Sequence, residues 1–422
     1  MIWIRHGSAA AGTNLEGMPS AMPEGQPAPS DGSLPRQALS EIAQRPLGIY
    51  IHVPFCTTRC GYCDFNTYTA AELGAEPGSS RAGYVAAVIK ELELAARVLG
   101  PNAPPVSTIF VGGGTPTVLP PDDLGRLIAA VRGYFGLAED AEVTTESNPE
   151  SVDAAGLYRL RQLGFNRISF GMQSVVPHVL ATLDRVHSPG RPQQAIAEAK
   201  AAGFANTSLD LIYGTPGESA ADWQSSLDAA LAASPEHISA YALIVEEGTR
   251  LATRIRRGEL RSPDDDDLAD KYLIADERLS AAGYTAYEVS NWSTSNATRS
   301  RHNLGYWRSD HWWGIGPGAH SHVGGVRWWN VKHPRAYASQ LAADRSPALA
   351  REVLTRDDRR VERILLELRL ADGLPTSLLT STERGRLADI RARGLVAAQD
   401  GRLILSRNGR LLADAVIREL LD

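Results

Sequence analysis

Residues 50–66 read YIHVPFCTTRCGYCDFN. The segment begins as a strand, breaks at Pro54, and runs into a loop with Cys56, Cys60 and Cys63 at C-x3-C-x2-C spacing. These are the only three cysteines of the chain. An odd number, so closely spaced, excludes a disulfide framework and fits a reducing cytoplasm. Three thiols within eight positions can grip one metal centre. A structural zinc wants four closed ligands, and His52 or Asp64 would be the fourth. A cubane iron–sulfur cluster is usually held by four cysteines, so three would leave one iron open to a small ligand.

Outward from this loop, short β-type runs alternate with helical ones. GIYIHV, STIFV, EVTTE, RISF, SLDLIY and HISAYALI read as strands, and YTAYEV as a further one. Between them, residues 81–99, PDDLGRLIAAVRGYF, DAAGLYRLRQLG, VVPHVLATL, PQQAIAEAKAAG and ADWQSSLDAALAA read as helices. The acidic run 264–267 opens a last helix over 264–282, where negative charge suits the helix dipole. Six or seven strands in strict alternation with helices mean parallel βαβ units. The apolar strand runs suggest strands buried on both faces. The expected class is α/β, a partial (β/α) TIM-like barrel; an open doubly wound sheet is the alternative. The expected division is a disordered tail over 1–46, the barrel over 47–330, and a small C-terminal α/β unit of winged-helix type over 331–422. The tail is rich in Pro, Gly, Ser and Ala without hydrophobic period, and Met22 is read as an alternative start.

Composition narrows the class. The chain has 422 residues, 43% hydrophobic and 22% charged, as expected of a soluble globular protein. A net charge of −6 argues against a nucleic-acid binder held by general electrostatics. No apolar run reaches the ~18 residues that span a bilayer, and the first residues carry no basic-then-apolar signal pattern.

Polar groups recur at strand ends, where β/α barrels gather their chemistry. STIFV is followed by Gly112, Gly113, Gly114 and Thr115, and three glycines let backbone approach a ligand closely. Glu146 ends the third strand, Gln173 follows the fourth, and Asp210 lies in the fifth. With YIHVPFC, GGGTPT, ESNP, SFGMQS, LDLIYG and ISAYAL, the chain resembles the oxygen-independent coproporphyrinogen III oxidase-like branch of the radical S-adenosylmethionine (radical SAM) superfamily, over roughly residues 47–330. The resemblance implies a [4Fe–4S] cluster on Cys56, Cys60 and Cys63. It also implies S-adenosylmethionine against Tyr50, Tyr62, Gly113, Gly114, Thr115, Glu146, Gln173, Arg185 and Asp210.

Two stretches choose within that branch. The oxidases resemble C-x3-C-x2-C-x-C, whereas this chain has Phe65 at the fourth position and reads Cys63-Asp64-Phe65-Asn66, as does the haem chaperone (HemW) subgroup. Phe cannot replace a thiol; its expected place is packed beside the cluster. The second stretch is RHNLGYWRSDHWWGIGPGAHSH. Six of eight tryptophans fall between residues 292 and 329, and four of ten histidines between 302 and 322. Haem needs an axial ligand, flat apolar partners and cations for its propionates. His302, Asn303, Tyr306 and Trp307 match the haem motif of the chaperone subgroup. His302 is the expected iron ligand and His311 its substitute, with Arg299, Arg301 and Arg308 for the propionates. The same aromatics could instead simply close the barrel, with His302 a hydrogen-bonded core residue. The resemblance implies a cytoplasmic chaperone that passes haem to an acceptor, a respiratory protein at the membrane, and pairs with itself. The alternative is the oxidase, which decarboxylates porphyrinogen propionates.

Overall fold

The computed structural model describes residues 25–74 and 81–422. Six strands follow in chain order: β1 (Leu47–Val53), β2 (Val106–Gly113), β3 (Leu137–Ser147), β4 (Arg167–Gln173), β5 (Asn206–Tyr213) and β6 (His237–Ala242). Each pairs in parallel with the next. A seventh, β7 (His311–Ile315), joins from far along the chain and lies parallel to β1 on its free side. Antiparallel β8 (His320–Val323), β9 (Val326–Asn330) and β10 (Ala348–Val353) extend the sheet beyond β7. Gln26–Pro27 completes that end, and Asn291–Ser293 with Thr285–Ala286 complete the other. The curved parallel strands form the expected partial barrel, and the 13-stranded sheet is open-ended.

The strands are not apolar on both faces. One face carries Ile49, Ile51, Ile109, Val111, Ile168, Phe170, Leu209, Leu211 and Ile238, all 0% exposed, packed with the helices in the main core. The other face reads Gly48-Tyr50-His52, Thr108-Phe110-Gly112, Thr144-Glu146, Arg167-Ser169-Gly171, Ser208-Asp210 and His237-Ser239, set side by side by strand register. Period-2 alternation of this kind separates an apolar helix-facing side from a polar interior. The interior is buried yet polar.

Three boundaries differ from expectation. Residues 1–24, including Met22, lie outside the described residues. Residues 25–46 are packed, not a loose tail: Gln26 pairs opposite Arg351, and Ala38 and Ile42 enter the main core. A Pro-rich composition hid this short apolar turn. YTAYEV yields only the two-residue strand Thr285–Ala286. The large sheet continues through Val353, and Tyr337 and Leu341 pack on Ala87, so the C-terminal unit begins after β10 rather than at residue 331.

That unit has its own core, with Ile364, Leu368, Leu374, Ile390, Leu403, Val416 and Leu420. A hairpin lies within it: Val396–Gln399 pairs with Arg402–Leu405 across Asp400 and Gly401, at φ 49° and 72°. Two successive positive φ values make the turn that matches strand twist. The acidic run also serves as read, Asp264 capping the helix Asp265–Ala281 through the Asp267 amide at 3.0 Å.

Burial pushes His320 and His322 of β8 down to about 3. An unfolded histidine titrates near 6.5. The unfolded chain therefore binds protons that the folded chain refuses, and this contribution to stability is lost as pH falls from about 6.5 toward 3. The Tm difference between wild type and His322→Gln is expected to shrink by about 3 °C or more from pH 7 to pH 4. A constant difference would show that His322 protonates within the fold.

Candidate functional site

The cysteine loop leaves β1 at the C-terminal end of the parallel sheet. Its backbone is fastened on several sides. Cys56 N–H donates to Tyr68 O at 3.0 Å, Gly61 N–H to Leu183 O at 3.0 Å, and Leu251 N–H to Gly61 O at 2.8 Å. Asn66 closes the loop by donating its side-chain amide to Pro317 O at 3.0 Å and Lys332 O at 2.7 Å. The glycine run after β2 lies directly beneath. Gly114 N–H donates to Val53 O at 2.8 Å and Thr115 N–H to Phe55 O at 2.7 Å. A Cβ on Gly114 would stand 2.5 Å from Phe55 O and 3.0 Å from Cys56 Sγ.

All three cysteines are free and partly buried. The Thr115 hydroxyl lies 3.9 Å from Cys56 Sγ and the Arg185 guanidinium 3.7 Å from Cys60 Sγ, both as donors. Burial raises the Cys56 thiol and lifts that of Cys63 to about 11. A metal centre must therefore expel protons as it loads. Among the described residues, no three His, Cys, Asp or Glu side chains are set as ligands of a single metal ion. A multi-iron cluster needs a wider cradle than one ion, and a set of three thiols with donors to sulfur suits it chemically.

The expected S-adenosylmethionine residues converge beside this loop. Gly113 N–H donates to Glu146 Oε2 at 3.0 Å, and Gln173 Nε2 donates to Tyr62 OH at 3.1 Å. Arg185 follows the helix Pro177–Thr182 and turns back to donate to Gly171 O at 2.8 Å, so it is not the solvated helix arginine that its sequence context suggests. The Ser169 hydroxyl lies 3.0 Å from both Asp210 oxygens. Burial, and then the Asp210 charge, lifts Glu146 to about 7; burial also raises Asp210. Gln173 sits at φ 61°, an uncommon conformation for a side-chain-bearing residue and a frequent mark of ligand sites. Gln173 Oε1 and Arg185 Nε are buried without a hydrogen-bond partner. Such orphaned groups fit a site built for a polar ligand. Tyr50 lies deeper in the strand, its hydroxyl 2.9 Å from His52 Nδ1, and burial and then the Glu146 charge raise its pKa.

Phe65 is 56% exposed, while its backbone hydrogen-bonds the Cys63 thiol.

The second motif forms the short helix Arg301–Trp307, capped by Ser300. Glu142 of β3 accepts from the Arg301 and His302 amides, each at 3.0 Å. His302 points into the barrel interior and stacks on Phe110 with ring centroids 5.2 Å apart. Its Nδ1 lies 2.8 Å from Thr108 Oγ1 and its Nε2 2.8 Å from Tyr306 OH. Both ring nitrogens are taken, and burial lowers its pKa to about 3. Trp307 faces away and packs with Tyr287, Leu304 and Leu370. Asn303 contributes its backbone amide to the Ser300 cap at 3.3 Å. His311 is held between Glu41 O and the Gly324 amide. The arginines read as propionate partners are already paired: Arg301 with Asp140, and Arg299 and Arg308 with Asp372. Beside the helix lies a cleft of about 160 Å³, lined by Gly48, Thr108, His302, Gly305, Tyr306 and Arg308. Sites for drug-sized ligands usually exceed ~300 Å³, so this cleft is smaller than such a site.

Sequence reasoning missed Arg167, Ser169, Thr108 and Glu142. Their signal was the second set of alternating positions in each strand. Arg167 is 3% exposed, with its Nε buried and unpaired, and its positive charge reaches Glu146, Asp210 and His302.

A family model of the radical SAM superfamily matches residues 50–230. The chain is 54% identical over 383 residues to the heme chaperone HemW of Mycobacterium tuberculosis (strain ATCC 25618 / H37Rv), covering 91% of this chain and 97% of that protein. It is 32% identical over 377 residues to the heme chaperone HemW of Bacillus subtilis (strain 168), covering 87% and 97%. Among solved structures, the coproporphyrinogen III oxidase HemN of Escherichia coli, described as a radical SAM enzyme, matches with a TM-score of 0.78 at 23% identity. That match covers 93% of this chain and 94% of the other, and it establishes a shared fold.

Proposed function

Because the chain belongs to the heme chaperone HemW family of radical SAM proteins, we propose that it binds haem and delivers it to acceptor proteins. The superfamily implies a [4Fe–4S] cluster and S-adenosylmethionine. We assign the cluster to Cys56, Cys60 and Cys63. We assign S-adenosylmethionine to Tyr62, Gly113, Gly114, Thr115, Glu146, Gln173, Arg185 and Asp210, with Tyr50 beneath them. When bound, a cluster with one open iron supplies an anchor for an amino-acid head group and a route for one electron. The chain's own part is positional. Thr115 and Arg185 donate toward the sulfurs, Gln173 fixes Tyr62, and Ser169 holds Asp210.

The observation that carries the chaperone reading is 54% identity along nearly the whole chain with a HemW protein. Phe65, where the oxidases have a cysteine, agrees with it. We assign haem to His302, Asn303, Tyr306 and Trp307. Thr108 on Nδ1 leaves Nε2 as the nitrogen for iron, once Tyr306 yields it. Acceptor and setting follow the resemblance: a cytoplasmic protein, able to pair with a second copy, meeting a respiratory haem protein at the membrane. Among the described residues, no helix is long and apolar enough to cross a membrane.

Haem titrated into anaerobically reconstituted protein should give a saturable, shifted Soret band. His302→Ala should weaken that binding by at least about tenfold, as loss of an axial ligand does. Unchanged binding in His302→Ala would move the ligand elsewhere. Turnover of coproporphyrinogen III to protoporphyrinogen would replace the chaperone reading with the oxidase.

A further inference from the structure

Two guanidiniums from opposite ends of the helix Arg301–Trp307 meet on one carboxylate. Arg299, just before the cap, lies 3.2 Å from Asp372 Oδ1, and Arg308, just after the last turn, lies 2.7 Å from Asp372 Oδ2. The carboxylate comes from the C-terminal unit. The arginines belong to the barrel side, and Arg308 also lines the cleft beside His302. Each arginine takes one oxygen, the arrangement by which paired guanidiniums recognise a carboxylate end-on.

The seat is not saturated. Arg299 is mostly buried, its side chain 14% exposed, and its Nε is buried without a partner. Arg308 and Asp372 are 45% and 39% exposed, so water reaches this pair. An ion pair so open to solvent contributes little, and it can be exchanged for another carboxylate at small cost. Asp372 is held to its own unit by Arg402, which donates to Asp372 O and Gly373 O, while the neighbouring Ala371 N–H donates across to Tyr287 O of the barrel side at 3.0 Å.

We propose that Arg299 and Arg308 form a carboxylate seat at the rim of the His302 cleft, and that Asp372 fills it as an internal stand-in which a propionate of incoming haem displaces. This rests on the haem reading above. Loading at His302 would then release one fastening between the C-terminal unit and the barrel. The empty chaperone is latched, and the loaded one presents that unit differently.

The test titrates haem, and separately haem dimethyl ester, which lacks free carboxylates, into wild type, Asp372→Asn and Arg308→Met. Removing the competing charge should tighten haem binding in Asp372→Asn by about two- to fivefold, the range of a solvent-exposed pair. Arg308→Met should weaken it. The ester should bind all three alike. A second readout in wild type is amide exchange: haem should speed exchange at Ala371, and the ester should not. Asp372→Asn binding haem no tighter, or gaining equally for the ester, overturns the seat. Unchanged exchange at Ala371 overturns the displacement. A wild type without any saturable Soret band is a different result, and it sinks the haem reading itself.

Discussion

Cys60→Ser protein, reconstituted without air from iron and sulfide, will retain less than about a tenth of the wild-type cluster. The magnitude follows from how metal-centre binding depends on a complete thiolate set. The chain has three cysteines, all on one loop, and no fourth thiol can stand in. Cys60 also receives the Arg185 guanidinium at 3.7 Å, so the serine variant loses a soft ligand and leaves a partly buried cation facing a weaker one. The substitution changes little volume at a partly buried position, so the fold should persist by circular dichroism. Iron and sulfide content together with Mössbauer spectra decide the matter. A full cluster in Cys60→Ser would show that these thiols are not its anchors.

Gly114→Ala is expected to do comparable damage without touching a ligand. Its Cβ would meet the Phe55 carbonyl at 2.5 Å, closer than real Cβ contacts come, and Cys56 Sγ at 3.0 Å. The first obstacle is backbone, which cannot rotate away. The loop and the glycine run are also tied by the Val53 and Phe55 carbonyl bonds, so relief must displace Cys56 and Thr115 together. Cluster content should fall by about tenfold or more, and any spectral response to S-adenosylmethionine should vanish, since misplacement of about 1 Å is enough to undo a site of this kind. Gly133→Ala is the control. Nothing lies within 4 Å of its Cβ, and it sits inside the helix Pro121–Phe135. Alanine there should stabilise by about 0.5–1 kcal/mol, through helix propensity alone. If Gly114→Ala loads as well as Gly133→Ala, the close approach does not govern the site.

What was legible in the sequence was local. The thiol spacing, the glycine run and the strand-end carboxylates each speak within about ten residues, and the structure brings the named side chains to one end of the barrel. The acidic run read correctly for the same reason, because a helix cap is decided within four residues. The misses are long-range. Arg299 and Arg308 looked free because Asp372 lies far along the chain, and Arg301 because Asp140 does. The packing of 25–46 depended on strands near residue 350. Arg167 opens its strand and resembles a helix-flanking charge until register sets it inside the barrel. Phe65 was expected to pack beside the cluster, and its high exposure depends on how the whole loop is seated, which no local pattern encodes.

The pairing of β7 with β1 also constrains when the protein can be finished. The cysteines are spelled within the first sixth of the chain, but the strand that carries them gains its outer neighbour only at His311–Ile315. Asn66 is clasped by carbonyls at Pro317 and Lys332. Contacts at such sequence separation form late, and a nascent chain emerges from its N-terminus first. The thiols therefore leave the ribosome well before their loop is clasped, and its closure waits until synthesis has passed residue 332, in a protein that is otherwise nearly complete.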